Sequence, residues 1–307
     1  MPKVLITGAS GLVANALCVL LIEKGYDIVM LSTKKSNTTT KYKTFFWDIQ
    51  KEQIDQGAFS NIDYIIHLAG ANIGQKRWTK KRKIELVNSR VASADLLFKY
   101  VQKNNISLKA IISASAVGYY GIAKEDKILT EQDVAKQDFL SQLCQQWEDA
   151  VSQFAQRNVR YVQIRTGIVL SESSSLFSYM LRPMRFGWAF VLASGKQYMP
   201  WIHIEDLCML YVRALELEQM QGAYNAVAPE HITNYTFTSQ LASMFQKKIR
   251  IVKMPALLLK LFFGEKAKLL LSGNQVSSVK SIHEGFQFKY PTLKQALHHI
   301  FSKKNKL

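Results

Sequence analysis

Between a short apolar run, Val4-Leu5-Ile6, and an apolar helical pattern that begins at Leu12 stands the segment Thr7-Gly8-Ala9-Ser10-Gly11. Few local sequences restrict a fold more. Glycine at 8 permits a tight turn, glycine at 11 lets the backbone approach a ligand, and the small Ala14 lets the helix pack closely on the strand. A helix starting there offers free N–H groups and a partial positive charge to an anion. The strand–loop–helix context therefore predicts a pyrophosphate cradle made by Gly8, Ser10, Gly11, Leu12 and Val13, at the start of a dinucleotide-binding sheet.

The rest of the chain supports that class. Short apolar runs alternate with helical patterns, which predicts an α/β fold with a doubly wound parallel sheet. Strands are expected at Val4–Thr7, Asp27–Leu31, Thr44–Trp47, Asp63–His67, Lys109–Ser113 and Arg160–Ile164. Helices are expected at Leu12–Lys24, from about Lys80 to Asn104 without a break, and at Phe139–Arg157. After about residue 170 the alternation loosens. A dinucleotide-binding domain over 1–170, joined by strands from about 200–230, and a smaller, mostly helical substrate lobe over 171–307 are the expected division.

The second strand discriminates between dinucleotides. A carboxylate at its end accepts from a ribose 2′-hydroxyl and favours NAD. Here it ends Leu31-Ser32-Thr33-Lys34-Lys35, with hydroxyls and ammonium groups and no acid. Such a set welcomes a 2′-phosphate, so Ser32, Thr33 and Lys34 are assigned to NADP(H).

Bulk properties narrow the partners. The chain has 40 Lys and Arg against 23 acids, a formal charge of +17. Basic residues are spread along it, with one dense run, Lys76 to Lys83, and no nucleic-acid-binding motif accompanies them. Its most apolar stretches, Leu12–Ile22 and Met254–Phe263, are short and interrupted by Asn15 and Lys260, which excludes a membrane span. Cys18, Cys144 and Cys208 form neither a disulfide framework nor a metal site. The expectation is a cytoplasmic, metal-free monomer or homodimer acting on a small molecule, with neither nucleic acid nor membrane as partner.

Further segments carry a family resemblance. They are His67-Leu68-Ala69-Gly70-Ala71-Asn72, Asn88-Ser89-Arg90, Ser113 through Gly121, Trp147-Glu148, Arg165-Thr166-Gly167, Pro200 through Leu207, and Glu284 through Pro291. With the spacing Gly8-x-x-Gly11-x-x-Ala14, the chain resembles the atypical, epimerase-like extended short-chain dehydrogenases. That subgroup ends in a small domain of unknown function. The resemblance implies a Rossmann-type fold of the extended type and an NADP cofactor. It places Asp48 and Ile49 at the adenine, and Leu68, Ala69 and Gly70 at the nicotinamide half. Glu85 and Arg90 are expected to pair near the nicotinamide ribose, with Arg165 fixing the cofactor or an anion.

One expected element is missing. The superfamily uses a Tyr-x-x-x-Lys pair in which the lysine lowers the pKa of a proton-transferring tyrosine. Aligning Glu148 with the usual glutamate places Leu140 and Cys144 at those two positions. Ser115 and Tyr119 are the candidate substitutes, and for Tyr119 a packing role stands beside the catalytic one. Two functions remain open: an oxidoreductase or epimerase working by hydride transfer on a small, sugar-like or anionic substrate, and a catalytically silent NADPH sensor.

Overall fold

Val4, Leu5 and Ile6 have no solvent exposure, as a strand covered on both faces requires. The computed structural model describes residues 1–34, 41–122 and 127–304. Its strands are β1 (Lys3–Thr7), β2 (Asp27–Ser32), β3 (Lys43–Asp48), β4 (Gln53–Ile54), β5 (Tyr64–His67), β6 (Ala110–Ala116), β7 (Ile128–Leu129) and β8 (Arg160–Thr166). Then come β9 (Ile168–Leu170), β10 (Trp188–Leu192), β11 (Trp201–His203), β12 (Gly222–Ala226), β13 (Arg250–Met254) and β14 (Gln275–Val276).

The helices are α1 (Leu12–Glu23), α2 (Lys80–Asn88), α3 (Val91–Lys103), α4 (Phe139–Ser152), α5 (Ser175–Met184) and α6 (Ile204–Glu216). They continue with α7 (Asn234–Ser243), α8 (Ala256–Phe263), α9 (Ala267–Leu271), α10 (Val279–His283) and α11 (Leu293–Lys304).

Eight strands form one sheet in the order β12-β8-β6-β5-β1-β2-β3-β4. Every pair in it is parallel except β3 with β4. The period-2 geometry of a strand divides its residues between two layers. Val4 and Ile6 join a core with Leu17 and Leu21 of α1 and Leu207 and Tyr211 of α6. Leu5 joins the opposite core, with Leu97 and Val101 of α3 and Trp147 and Val151 of α4. Each fully buried aliphatic side chain there contributes roughly 1.5–3 kcal/mol. This is a Rossmann-type, doubly wound sheet.

A third core joins α5, α7 and α11 through Phe177, Leu181, Phe237, Leu241, Leu293 and Leu297. After α9 the chain crosses back toward the main sheet. Gln197 Nε2 donates to the Leu270 carbonyl (2.9 Å) and Asn274 Nδ2 to that of Gly121 (2.7 Å). β14 pairs with β7. Gly273 lies so close to the Tyr198 backbone that a Cβ has no room there.

Two expected elements differ. The helix anticipated from Lys80 to Asn104 is broken between α2 and α3. The Ser89 hydroxyl accepts the N–H of Ala71 (2.9 Å) and the Arg90 guanidinium turns back to the Ala71 carbonyl (3.1 Å), so a tertiary contact interrupts it. α4 ends at Ser152, and its continuation tightens into a 3₁₀ turn stopped by left-handed Asn158.

Candidate functional site

β1 lies between β2 and β5, so the strand order reverses there. Ligands of such sheets sit in the crevice beyond the C-terminal strand ends at that point. Gly8 occupies it with φ +77°, and a Cβ would come within 2.7 Å of the Leu68 carbonyl oxygen. Only glycine fits. The Gly11 N–H donates to the Gly8 carbonyl (2.8 Å), closing the turn. Gly11 then caps α1 without any side-chain hydrogen bond to the first helical amides. Those amides, from Leu12 and Val13 onward, are what an anionic group requires. Ser10 is exposed beside them, and buried Ala14 packs on the sheet.

A buried chain of hydrogen bonds sets the facing loop. Thr7 Oγ1 accepts from the N–H groups of Leu68 and Ala69, both at 3.0 Å, and lies 2.9 Å from His67 Nδ1. With both acceptor directions used, the hydroxyl proton goes to Nδ1. Nε2 then carries the ring proton and donates to Ser93 Oγ (3.2 Å). Burial pulls the His67 pKa down to about 4, so the ring is neutral. The motif containing His67 was visible in the sequence; its links to Thr7 and Ser93, which fix Leu68, Ala69 and Gly70, were not.

Gly70 packs against the Arg90 guanidinium. Arg90 also donates to the Leu86 carbonyl (3.1 Å) and lies over the Trp147 ring at 5.1 Å. The expected Glu85–Arg90 pair does not form. Glu85 faces out and takes Arg82 at 2.5 Å, whereas Arg90 turns inward to the loop carbonyls. Arg82 also donates to the Asn72 carbonyl.

At the end of β2, Ser32 Oγ accepts the Lys34 N–H (3.1 Å), and Thr33 and Lys34 are exposed. Lys35 lies outside the described residues. Asp48 accepts the amides of Gln50 and Lys51 (3.0 and 3.1 Å), which shapes the turn after β3. Ile49 packs against the core below it.

The candidate catalytic side chains gather at the end of β6. Ser115 is buried, and its hydroxyl donates to Glu148 Oε1 at 2.6 Å. Glu148 takes Arg165 through two hydrogen bonds, at 2.9 and 2.8 Å. Arg165 is thus placed in the core, against the Tyr119 ring and donating to the Tyr120 hydroxyl (3.1 Å). Tyr120 donates in turn to Asn225 Oδ1 (2.6 Å). Tyr119 is half-buried, and among the described residues its hydroxyl has no hydrogen-bond partner. Leu140 and Cys144 both lie against Gly118 in the turn that follows β6. Burial pushes the Cys144 thiol up to about 12. It supplies no charge that would activate a phenol.

Away from this crevice, His203, Glu205 and His299 bring ligand-type atoms within 4.8 Å of one another. His203 Nδ1 accepts the Glu205 N–H and caps α6, and its Nε2 faces His299 Nδ1 at 3.2 Å. The Lys289 ammonium reaches Glu205 at 2.9 Å. These contacts tie the start of α6 to α11.

Comparison with known proteins adds to this geometry. Residues 4–226 match the NAD dependent epimerase/dehydratase family, and residues 254–300 match a domain of unknown function, DUF1731. An epimerase family protein of Staphylococcus aureus is 33% identical, covering 99% of this chain and 100% of the relative. The crystal structure of human epimerase family protein SDR39U1 with NADPH is similar at a TM-score of 0.87 and 29% identity, covering 98% of this chain and 99% of that one. A nucleoside-diphosphate sugar epimerase from Corynebacterium glutamicum aligns at a TM-score of 0.79 and 27% identity, with all of this chain on 61% of that one.

Proposed function

Because the chain belongs to the NAD dependent epimerase/dehydratase family, we propose that it binds NADP(H) and acts as an oxidoreductase or epimerase on a small molecule in the cytoplasm. The carrying observation is the crevice at Gly8: a backbone cradle that a Cβ would fill, facing uncapped amides of α1. The residues fit a dinucleotide. Gly8, Ser10, Gly11, Leu12 and Val13 would hold the pyrophosphate. Ser32, Thr33 and Lys34 would take a 2′-phosphate, Asp48 and Ile49 would flank the adenine, and Leu68, Ala69 and Gly70 the nicotinamide half. The NADPH in the human structure supports the phosphorylated form.

Residues 1–170 with the segment of about 200–230, which brings α6 and β12 to the sheet, would form the cofactor unit and the rest of 171–307 the substrate lobe. The nicotinamide supplies hydride donation or acceptance when bound. For the protein's part, the backbone at 68–70 orients that ring, and Tyr119 is the side chain assigned to hold or release the substrate proton. Ser115 and Arg165 position it through Glu148 and the face of its ring. A second reading, an NADPH sensor without turnover, is favoured by Leu140 and Cys144 at the place of the usual dyad.

Titration of NADPH and NADH into the purified protein tests the cofactor. NADPH should bind at least tenfold more tightly, and Ser32→Asp should erase that preference by placing a carboxylate against the 2′-phosphate. Equal affinities, or no binding of either, would overturn the proposal. Screening a carbonyl library for NADPH oxidation separates the enzyme from the sensor.

A further inference from the structure

Helix α8 carries its apolar residues on the wrong side for water. Leu259 is buried, whereas Leu257, Leu258, Leu261 and Phe262 are 77%, 42%, 69% and 65% exposed. These four stand at i, i+1, i+4 and i+5, one continuous stripe along the outer face. An outward apolar stripe on a soluble chain marks a surface that something else covers.

The surroundings of the stripe identify what. On α8 and through α9, residues 256–271, stand Lys260, Lys266 and Lys268 and one acid, Glu265. That acid is already paired with Lys83 at 2.7 Å. Arg77 donates to the Phe262 carbonyl (3.5 Å) and Lys266 to that of Gly74 (3.0 Å). These contacts seat the end of α8 beside the basic run from Lys76 to Lys83. Lys76, Arg77, Lys80 and Lys81 are exposed there, next to Ile84 at 61%. The result is an apolar stripe set among exposed cations.

We propose that α8, with the basic segment 76–84, docks this protein on an anionic lipid bilayer. The leucines and Phe262 would enter the acyl boundary while the ammonium and guanidinium groups stay at the headgroups, the division of labour of interfacial helices. A second copy fits this face poorly, because a two-fold contact brings the same cations together. A nucleic acid matches the cations but leaves the apolar stripe in water. Among the described residues no helix is long and apolar enough to cross a membrane, and surface docking needs none. The site would place the 74–83 segment, which follows the 68–70 loop, against the lipid.

The test is co-sedimentation of the full chain with vesicles of phosphatidylcholine alone or with one-quarter phosphatidylglycerol. Binding is expected on the anionic vesicles only. Leu257→Gln with Leu261→Gln, which leaves the charge unchanged, should weaken it at least tenfold with the same thermal unfolding and NADPH affinity. Lys260→Gln with Lys266→Gln should weaken it severalfold. Failure to sediment overturns the proposal, and so does binding that salt abolishes but the glutamine pair leaves intact, which is plain adsorption of a basic protein. A dimer that the glutamine pair dissociates, or tighter retention on duplex DNA than on vesicles, also overturns it.

Discussion

The Arg165 guanidinium carbon lies 3.4 Å from the centre of the Tyr119 ring, while its edge is held by both oxygens of Glu148. One cation therefore serves two purposes at the end of β6. It neutralises a buried carboxylate, and it forms the floor under the most accessible phenol of the candidate site.

Cutting that pair exposes its structural half. Arg165→Met leaves Glu148 buried with Ser115 as its remaining side-chain donor, and should cost about 3–5 kcal/mol. Urea unfolding reads this as a lowered midpoint. Adding Glu148→Met should recover most of the loss, because the orphaned charge is then gone.

The phenol is tested without disturbing the floor. Tyr119→Phe keeps the ring on Arg165 and removes only the hydroxyl. NADPH affinity and melting temperature should stay as they are, while turnover of a carbonyl reduced by the parent protein should fall by about 10²–10⁴. Unchanged turnover would assign the proton to another group.

His67 makes stability depend on pH. Its pKa drops from 6.5 to about 4 on burial, so between those values the unfolded chain binds a proton that the folded chain does not. Above pH 6.5 the effect is absent. As pH falls toward 4, stability should be lost, by about 3 kcal/mol at most. Melts of the parent and of His67→Gln from pH 7 to pH 4.5 should show the shallower slope in the variant.

Gly8→Ala should damage the cradle from two causes. The backbone there is left-handed, and the added methyl meets the Leu68 carbonyl. We expect at least a tenfold loss of dinucleotide affinity, measured by quenching of protein fluorescence, and a fall of about 1 kcal/mol or more in stability. Normal affinity would show that the ligand binds elsewhere.

Local rules carried much of the fold. The strand–glycine–helix start and the six parallel strands read between Val4 and Ile164 are patterns of neighbouring residues, and they are present as expected, whereas the short β4 and β7 were not foreseen. What failed to show in the sequence depends on partners distant along the chain. Ser89 and Arg90 look helical until Ala71 offers its N–H and carbonyl. Arg165 reads as an anion-binding arginine until Glu148, 17 residues earlier, claims it. Gly273 carries no signal of the Tyr198 backbone against which it packs. The inverted face of α8 was visible only as a short apolar run, because exposure is decided by the fold around it.

The hydrogen-bonded chain from Thr7 through His67 to Ser93 has a thermodynamic consequence. It orders the 68–70 backbone during folding, so the conformational entropy of that wall is surrendered before any ligand arrives. A dinucleotide then meets a rigid surface and little of its binding free energy is consumed in ordering the protein. Calorimetry of Ser93→Ala should find the same site with a more unfavourable binding entropy, the signature of a wall that the ligand itself must now hold in place.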